Sequence, residues 1–250
     1  MSLSVALTGG VLSLILDRPE KRNALDQATI SALLGELEHA ELDADVRVVA
    51  LRRAGKDFCA GADLDELLAS ATLSPAENEA SALRLGEVFR GMRALPKPVV
   101  AIVHGRALAG GAGLATACDL VLAAESSQFG YPEIQRGFVP AMVMTMLRRL
   151  TGERRAFDLV ATGRLVPARE ALQLGLISRV VPDAELDATA GALLAQLAAT
   201  SANALALTKR LLYDLDARDF ADGIAQGARV NALARAHPDF QAAIAAFLQK

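Results

Sequence analysis

The 250-residue chain reads as an α/β protein whose sheet-bearing core gives way to a helical C-terminal portion. Three observations lead there. Short branched apolar runs alternate with segments of helical period through the first half of the chain. Gly/Ala-rich stretches occupy the junctions between them, and beyond residue 140 the helical patterns continue alone. No internal repeat or low-complexity linker interrupts the chain, so a core is expected over 1–195 and a helical region over 196–250.

Val11–Leu16 is a branched apolar run that ends in Asp17-Arg18-Pro19, a strand followed by a turn. Asn23 is expected to cap a helix over Ala24–Leu42, where Leu25, Ile30, Leu33, Leu34, Leu37 and Leu42 recur at helical spacing. Val46–Leu51 is a second strand. Ser74-Pro75-Ala76-Glu77 then opens a helix over Ser74–Leu95, with Pro75 at the first helical position. Val99–Val103 and Leu120–Ala123 are further strands. Ala141–Leu150, Glu153–Ala161, Ala168–Leu174 and two long segments from Glu185 onward read as helices.

The composition narrows the function. Apolar residues make up 52% of the chain, so a folded core is expected. With 26 Lys and Arg against 29 Asp and Glu, no basic stripe and no Trp, the chain lacks the means to grip or stack on a nucleic acid. Cys59 and Cys118 read as small buried hydrophobes; His39, His104 and His237 are too dispersed for a metal site. MSLSVALTGG lacks the pattern of a secretory signal, and no run of about twenty apolar residues is present for a membrane span. The apolar stretch Ala188–Ala199 is expected to be a packed helix, no membrane partner is expected, and a cytoplasmic location is the default.

Two small-residue loops follow strands and precede helices. Lys56-Asp57-Phe58-Cys59-Ala60-Gly61-Ala62-Asp63-Leu64 comes after the second strand, and His104-Gly105-Arg106-Ala107-Leu108-Ala109-Gly110-Gly111-Ala112-Gly113 after the third. Such junctions let a backbone approach a ligand, and free N–H groups at a helix start can donate to an anion. Two donors on one oxygen would make an oxyanion hole. Taken singly, each loop is equally an ordinary turn or a close packing of helix on strand. A dinucleotide loop is excluded, because Gly110-Gly111-Ala112-Gly113 departs from the Gly-x-Gly-x-x-Gly spacing, and the lysine-bearing P-loop pattern is absent. A third segment, Gln128-Phe129-Gly130-Tyr131-Pro132-Glu133-Ile134, precedes Gly137-Phe138-Val139-Pro140. Apolar neighbours would raise the Glu133 pKa and suit it to proton transfer. From the residues alone, however, a surface or salt-bridged glutamate, with Arg136 as the candidate partner, is the better reading.

In this order, Arg18-Pro19-Glu20-Lys21-Arg22-Asn23-Ala24-Leu25, Ala60–Leu64, Ala109-Gly110-Gly111, Cys118-Asp119-Leu120 and Phe129-Gly130-Tyr131-Pro132-Glu133 resemble the motifs of the enoyl-CoA hydratase/isomerase (crotonase) superfamily. The resemblance runs from about residue 3 to the C-terminus. It implies a spiral of ββα turns with C-terminal helices that drive trimerisation, giving a homotrimer or homohexamer. It also implies that the backbone N–H groups of Ala62 and Gly110 form the oxyanion hole and that Glu133 is the second catalytic glutamate of the family. Ala60, Gly61, Asp63 and Leu64 would hold the adenine and pantetheine side of CoA, and Lys56 a CoA phosphate. The partner implied is an acyl-CoA thioester, with no cofactor beyond the CoA of the substrate.

The chain departs from the family at one position. Hydratases with a glutamate pair carry the first of them three residues after the oxyanion glycine, and Gly113 stands there. The chain therefore resembles a single-glutamate member. Asp65, Glu66 and Glu77 lie near the first loop but read as solvated helix charges. Leu67, Leu68, Leu85, Tyr131 and Met142 are candidates to line an acyl pocket, with core packing the equal alternative. The expected activity is that of a lyase, an enoyl-CoA hydratase acting through a thioester enolate. A Δ3,Δ2-enoyl-CoA isomerase is the alternative, and a catalytically silent CoA-thioester binder is the alternative of another class. A peptidase on a related scaffold would need a Ser-His-Asp set, and no Gly-x-Ser-x-Gly elbow is present.

Overall fold

Leu3–Thr8 (β1) and Val11–Leu16 (β2) form an antiparallel hairpin closed by Gly9 and Gly10, both at positive φ, as a two-residue turn requires. The structure, a computed structural model, describes residues 2–249. Met1 and Lys250, the outer limits of the two expected segments, lie outside the described residues. After the hairpin come Gln27–Leu42 (α1), Val48–Arg53 (β3), Leu64–Ala69 (α2), Pro75–Ala94 (α3), Val99–Val103 (β4), Arg106–Leu108 (β5) and Gly110–Ala117 (α4). Leu120–Ala124 (β6), Gln128–Gly130 (β7), Ala141–Thr151 (α5), Glu153–Thr162 (α6), Leu165–Pro167 (β8), Ala168–Gln173 (α7) and Arg179–Val181 (β9) follow. The chain closes with Leu186–Ala199 (α8), Ala202–Asp214 (α9), Phe220–Ala236 (α10) and Pro238–Leu248 (α11).

Six strands form the main sheet in the order β1-β2-β3-β4-β6-β9, parallel from β2 onward. A second sheet, β5-β7-β8, stands apart from it. The inner strands of the main sheet are buried on both faces, which is why they read as continuous apolar runs. Val49, Leu51, Val99, Ala101, Val103, Val121 and Ala123 face one cluster, shared with α1, α3, α4 and α5. Their alternating neighbours Val48, Ala50, Val100, Ile102, Leu122 and Ala124 face a smaller one, closed by Leu186, Ala190, Leu193 and Leu194 of α8. The apolar α8 stretch is therefore a packed helix, as expected. Among the described residues no single helix is long and apolar enough to cross a membrane.

Several boundaries depart from the sequence reading for local reasons. α1 begins at Gln27 and its cap is Asp26, whose carboxylate accepts from the Thr29 N–H. Asn23 is no cap: it sits at φ 55, accepts from the Arg18 N–H and donates to the carbonyls of Ala54 and Asp57. Leu25 lies outside the helix, and Leu42, on its open face, is exposed. The second expected strand is shifted by two residues, to Val48–Arg53. The helix expected after Ser74 is present, with Ser74 and Glu77 forming a reciprocal capping box. The two long C-terminal segments resolve into four helices, divided by Thr200-Ser201, by the turn at 215–219 and by His237 ahead of Pro238.

Asn23 is the joint of the opening turn. Replacing it by Ala removes three hydrogen bonds, leaves two carbonyls and an N–H without partners, and keeps an unfavourable φ. A destabilisation of about 3 kcal/mol is expected for Asn23→Ala, read as a lowered midpoint in urea at unchanged slope.

Candidate active site

The Cys59–Asp63 backbone is held on two sides. Cys59 pairs with Ala107 in a parallel bridge, with Cys59 N–H donating to the Arg106 carbonyl and Leu108 N–H to the Cys59 carbonyl. On the other side Leu25 pairs with Ala62: Leu25 N–H donates to the Gly61 carbonyl at 2.8 Å and Asp63 N–H to the Leu25 carbonyl at 2.9 Å. Arg18 strengthens the second junction by donating to the Ala24 carbonyl and to the Asp63 carboxylate at 2.9 Å. Asp63 also caps α2 through the Asp65 N–H. Its buried side chain is thus engaged within the protein, as are its N–H with Leu25 and its carbonyl with the Leu67 N–H.

These pairings leave the Ala62 N–H pointing away from both neighbours, with no acceptor among the described residues. Gly110 opens α4, so its N–H also lacks a partner in the helix. The two loops touch. Gly61 is at φ +95, and a Cβ built on it would fall 2.7 Å from Ala109 Cβ and 3.4 Å from Gly110 N. A side chain at Gly61 would force the loops apart. Ala109 itself sits at φ 52, ψ −126, a region costing a non-glycine residue about 1–3 kcal/mol. Its N–H donates to the Gly130 carbonyl at 2.8 Å, which ties the third segment to the same place.

Glu133 lies in the 3-10 helix that follows β7 and is only 8% exposed. It forms no ion pair with Arg136, so the surface reading drawn from the residues alone is corrected. Burial pushes its carboxyl above the ordinary glutamate value of 4.5, while its own backbone N–H and the more distant Arg136 charge pull weakly the other way. Its carbonyl accepts from Phe138 N–H, which holds the turn around it. Oε2 has no hydrogen-bond partner among the described residues.

Gly113 lies one turn into α4. A Cβ there would fall 2.3 Å from Val143 Cγ1 and 3.0 Å from Phe89 Cζ. The room a first glutamate would need is occupied by these two side chains. The nearby acids do not supply it either. Asp65 pairs with Lys21 at 2.6 Å, Glu66 accepts from the Gln27 N–H, and Glu77 is held low in pKa by Ser74 in the capping box.

Lys56 is exposed, and beside it the buried Asp57 carboxylate receives Arg106 Nε at 3.1 Å. Ala60 is half-buried, Gly61 buried and Leu64 exposed along the same turn. Of the acyl-pocket candidates, Leu85 and Tyr131 are buried, Leu67 is half-buried and Leu68 is exposed; Met142 lines a cleft of about 810 Å³ between α3, α5 and α9. Both cysteines are free and buried, with burial pushing the Cys59 thiol to about 12. Among the described residues, no group of three or more His, Cys, Asp or Glu is gathered as a metal ion needs. Sequence reasoning missed the roles of Arg18, Asp57 and Arg106 and misread that of Asn23, because these depend on partners 31 to 49 residues away apart from the local Asn23 and Arg18 contacts.

Comparison with known proteins identifies the family. A family model described as enoyl-CoA hydratase/isomerase matches residues 7–250. A Thermus thermophilus protein, provisionally named an enoyl-CoA hydratase, is 43% identical over 97% of this chain and 96% of its own. The 2,3-dehydroadipyl-CoA hydratase of Escherichia coli K12 is 36% identical over 96% of this chain and 92% of its own. The crystal structure of an enoyl-CoA hydratase from Mycobacterium smegmatis superposes with a TM-score of 0.96 at 33% identity, covering 100% of this chain and 96% of that one. The α/β spiral with its C-terminal helices is therefore the crotonase fold, and the chain belongs to the enoyl-CoA hydratase/isomerase family of acyl-CoA enzymes.

Proposed function

We propose that the protein is an enoyl-CoA hydratase that adds water to a 2-enoyl-CoA through a thioester enolate. What supports this reading is the contact of the two loops, with Gly61 against Ala109 and Gly110, together with the buried Glu133 of the segment that Ala109 ties to them through Gly130. The thioester carbonyl oxygen is taken to lie between these donors. Fixed before the reaction, they stabilise the enolate as charge develops, a contribution of about 3 kcal/mol for each donor. Glu133, as carboxylate, takes a proton from the attacking water and returns it to C2. The CoA moiety would lie along Ala60, Gly61, Asp63 and Leu64, with the exposed Lys56 available to a phosphate. The chemistry uses no cofactor beyond the CoA of the substrate.

The second reading, a Δ3,Δ2-enoyl-CoA isomerase, is favoured by Gly113, because one carboxylate suffices to carry a proton between C2 and C4. The two separate by ultraviolet absorbance of the conjugated thioester. Loss of absorbance with crotonyl-CoA supports hydration, and gain with a 3-enoyl-CoA supports isomerisation. If neither changes while the esters bind, the protein is a CoA-thioester binder.

The helical region over 196–250 is read as the assembly element packing on the core and on neighbouring subunits. Phe220, Ile224, Leu233 and Phe247 are all more than half exposed on α10 and α11, more apolar surface than an isolated subunit ordinarily shows. A homotrimer or homohexamer is expected by sedimentation, and a monomer at micromolar concentration would contradict it. A cytoplasmic location completes the reading.

Glu133→Gln should lower kcat by 10²- to 10⁴-fold with the fold intact. Because burial raises the Glu133 pKa, the acid limb of kcat/KM should lie above 4.5 and vanish in the variant. The same shift has a sign for stability. A carboxyl raised in the folded state opposes folding above its unfolded value, and this penalty fades as pH falls through the folded value. Glu133→Gln should therefore be the more stable protein at pH 7, by on the order of 1 kcal/mol, with the gain lost in acid. Gly113→Glu should not restore a glutamate pair. It should instead cost about 3 kcal/mol through collision with Val143 and Phe89, measured by denaturant unfolding.

A further inference from the structure

The apolar face of α3 follows the two glycines at the start of α4. A Cβ built on Gly110 would fall 3.4 Å from Leu85 Cδ2, and one built on Gly113 would fall 3.0 Å from Phe89 Cζ. Leu85 and Phe89 are four residues apart on α3, so they are neighbours along one face of it. Gly110 and Gly113 are matched in the same way on α4. From α5, Val143 closes on the Gly113 position from a second direction. Leu85, Phe89 and Val143 are all buried in the main core cluster, so together they form a sealed wall.

Beyond this wall the packing opens. The cleft of about 810 Å³ between α3, α5 and α9 is lined by Phe89 itself, with Gly86, Met142, Met146 and Leu207 around it. That volume lies within the range of small-molecule sites, and these lining groups are apolar, as such sites favour. Its α9 side is fixed in place by Lys209, which binds Asp119 at 2.7 Å. Phe89 thus belongs to both spaces: its ring tip meets Gly113, and its side chain lines the cleft.

We propose that Phe89, backed by Val143, is a specificity-determining residue that confines the enzyme to short-chain 2-enoyl-CoA substrates by ending the acyl site before the cleft. The proposal rests on the hydration reading. A thioester carbonyl held at the Gly110 N–H has Leu85 as its apolar neighbour on α3. A chain that runs from there along α3 meets Phe89 one helical turn later. One turn is about 5.4 Å, room for a chain of a few carbons and too little for a long one. Cutting back the ring would join this space to the cleft.

The test is Phe89→Ala, with kcat/KM for hydration measured on crotonyl-CoA and on 2-decenoyl-CoA. The parent should favour the shorter ester by at least about 100-fold, and the variant should gain at least about tenfold on the longer one. A ring that serves only packing would cost both substrates alike, so the gain is a readout that a structural role does not move. Should Phe89→Ala fail to fold, Phe89→Leu and Val143→Ala remove less of the same wall and should shift the preference in the same direction. A parent that hydrates the longer ester as well as the shorter one, or better, overturns the proposal. Folded variants that keep the parent's preference overturn it as well, and in both cases the hydration reading stands. A parent that hydrates neither ester removes the hydration reading and this role with it.

Discussion

The backbone from Cys59 to Asp63 is shared between two neighbours, and much of the molecule is arranged around that sharing. One edge is taken by Ala107 and Leu108, the other by Leu25. With both edges occupied, the peptide at Ala62 has one direction left for its N–H. The same confinement brings Gly61 against Ala109 and Gly110, so the start of α4 is seated by contact with the first loop. Two parallel strands, β3 and β4, feed these loops from the same end of the sheet, which is where open α/β sheets place their ligands.

Strain and charge maintain the arrangement. Ala109 holds an unfavourable backbone angle, and the Gly130 carbonyl keeps it there. Arg18 bridges Asp26, Asp63 and the Ala24 carbonyl, so the opening turn, the start of α1 and the start of α2 move as one body. Farther off, buried Lys209 of α9 binds Asp119 at 2.7 Å and the carbonyls of Met92 and Lys97. Tyr213 donates to the other oxygen of Asp119. That cluster fastens α9 to the sheet, leaving α10 and α11 with their apolar faces open.

The sequence was most legible where one residue's neighbours along the chain settle its state. β4, a run of five branched or small apolar residues, needed no partner to be recognised, and Ser74-Pro75-Ala76-Glu77 announces its own capping box. β1 was missed although Gly9-Gly10 marks the hairpin turn, because Leu3–Thr8 is mostly exposed and carries little apolar contrast. The short strands β5, β7, β8 and β9 have three residues each, too few for a period to show. Asn23 was misread as a cap because the carbonyls it serves belong to Ala54 and Asp57. At the site, the two loops were visible as small residues after strands, but their convergence came only from the family resemblance. Glu133 was misjudged on local grounds for the same reason: its burial comes from the tertiary fold, not from Pro132 and Ile134.

The proposed oxyanion donors are peptide groups, and that has a consequence for how such a protein can change over generations. No substitution deletes a backbone N–H except proline, so random mutation leaves such a proposed enolate step almost untouched while it freely samples the side chains at 113 and 133. A lineage can lose a carboxylate at one of these positions, fill the space with Val143 and Phe89, and still begin every reaction in the same way. New chemistry then needs only a new proton carrier, and the scaffold serves as a stable ancestor for many reactions.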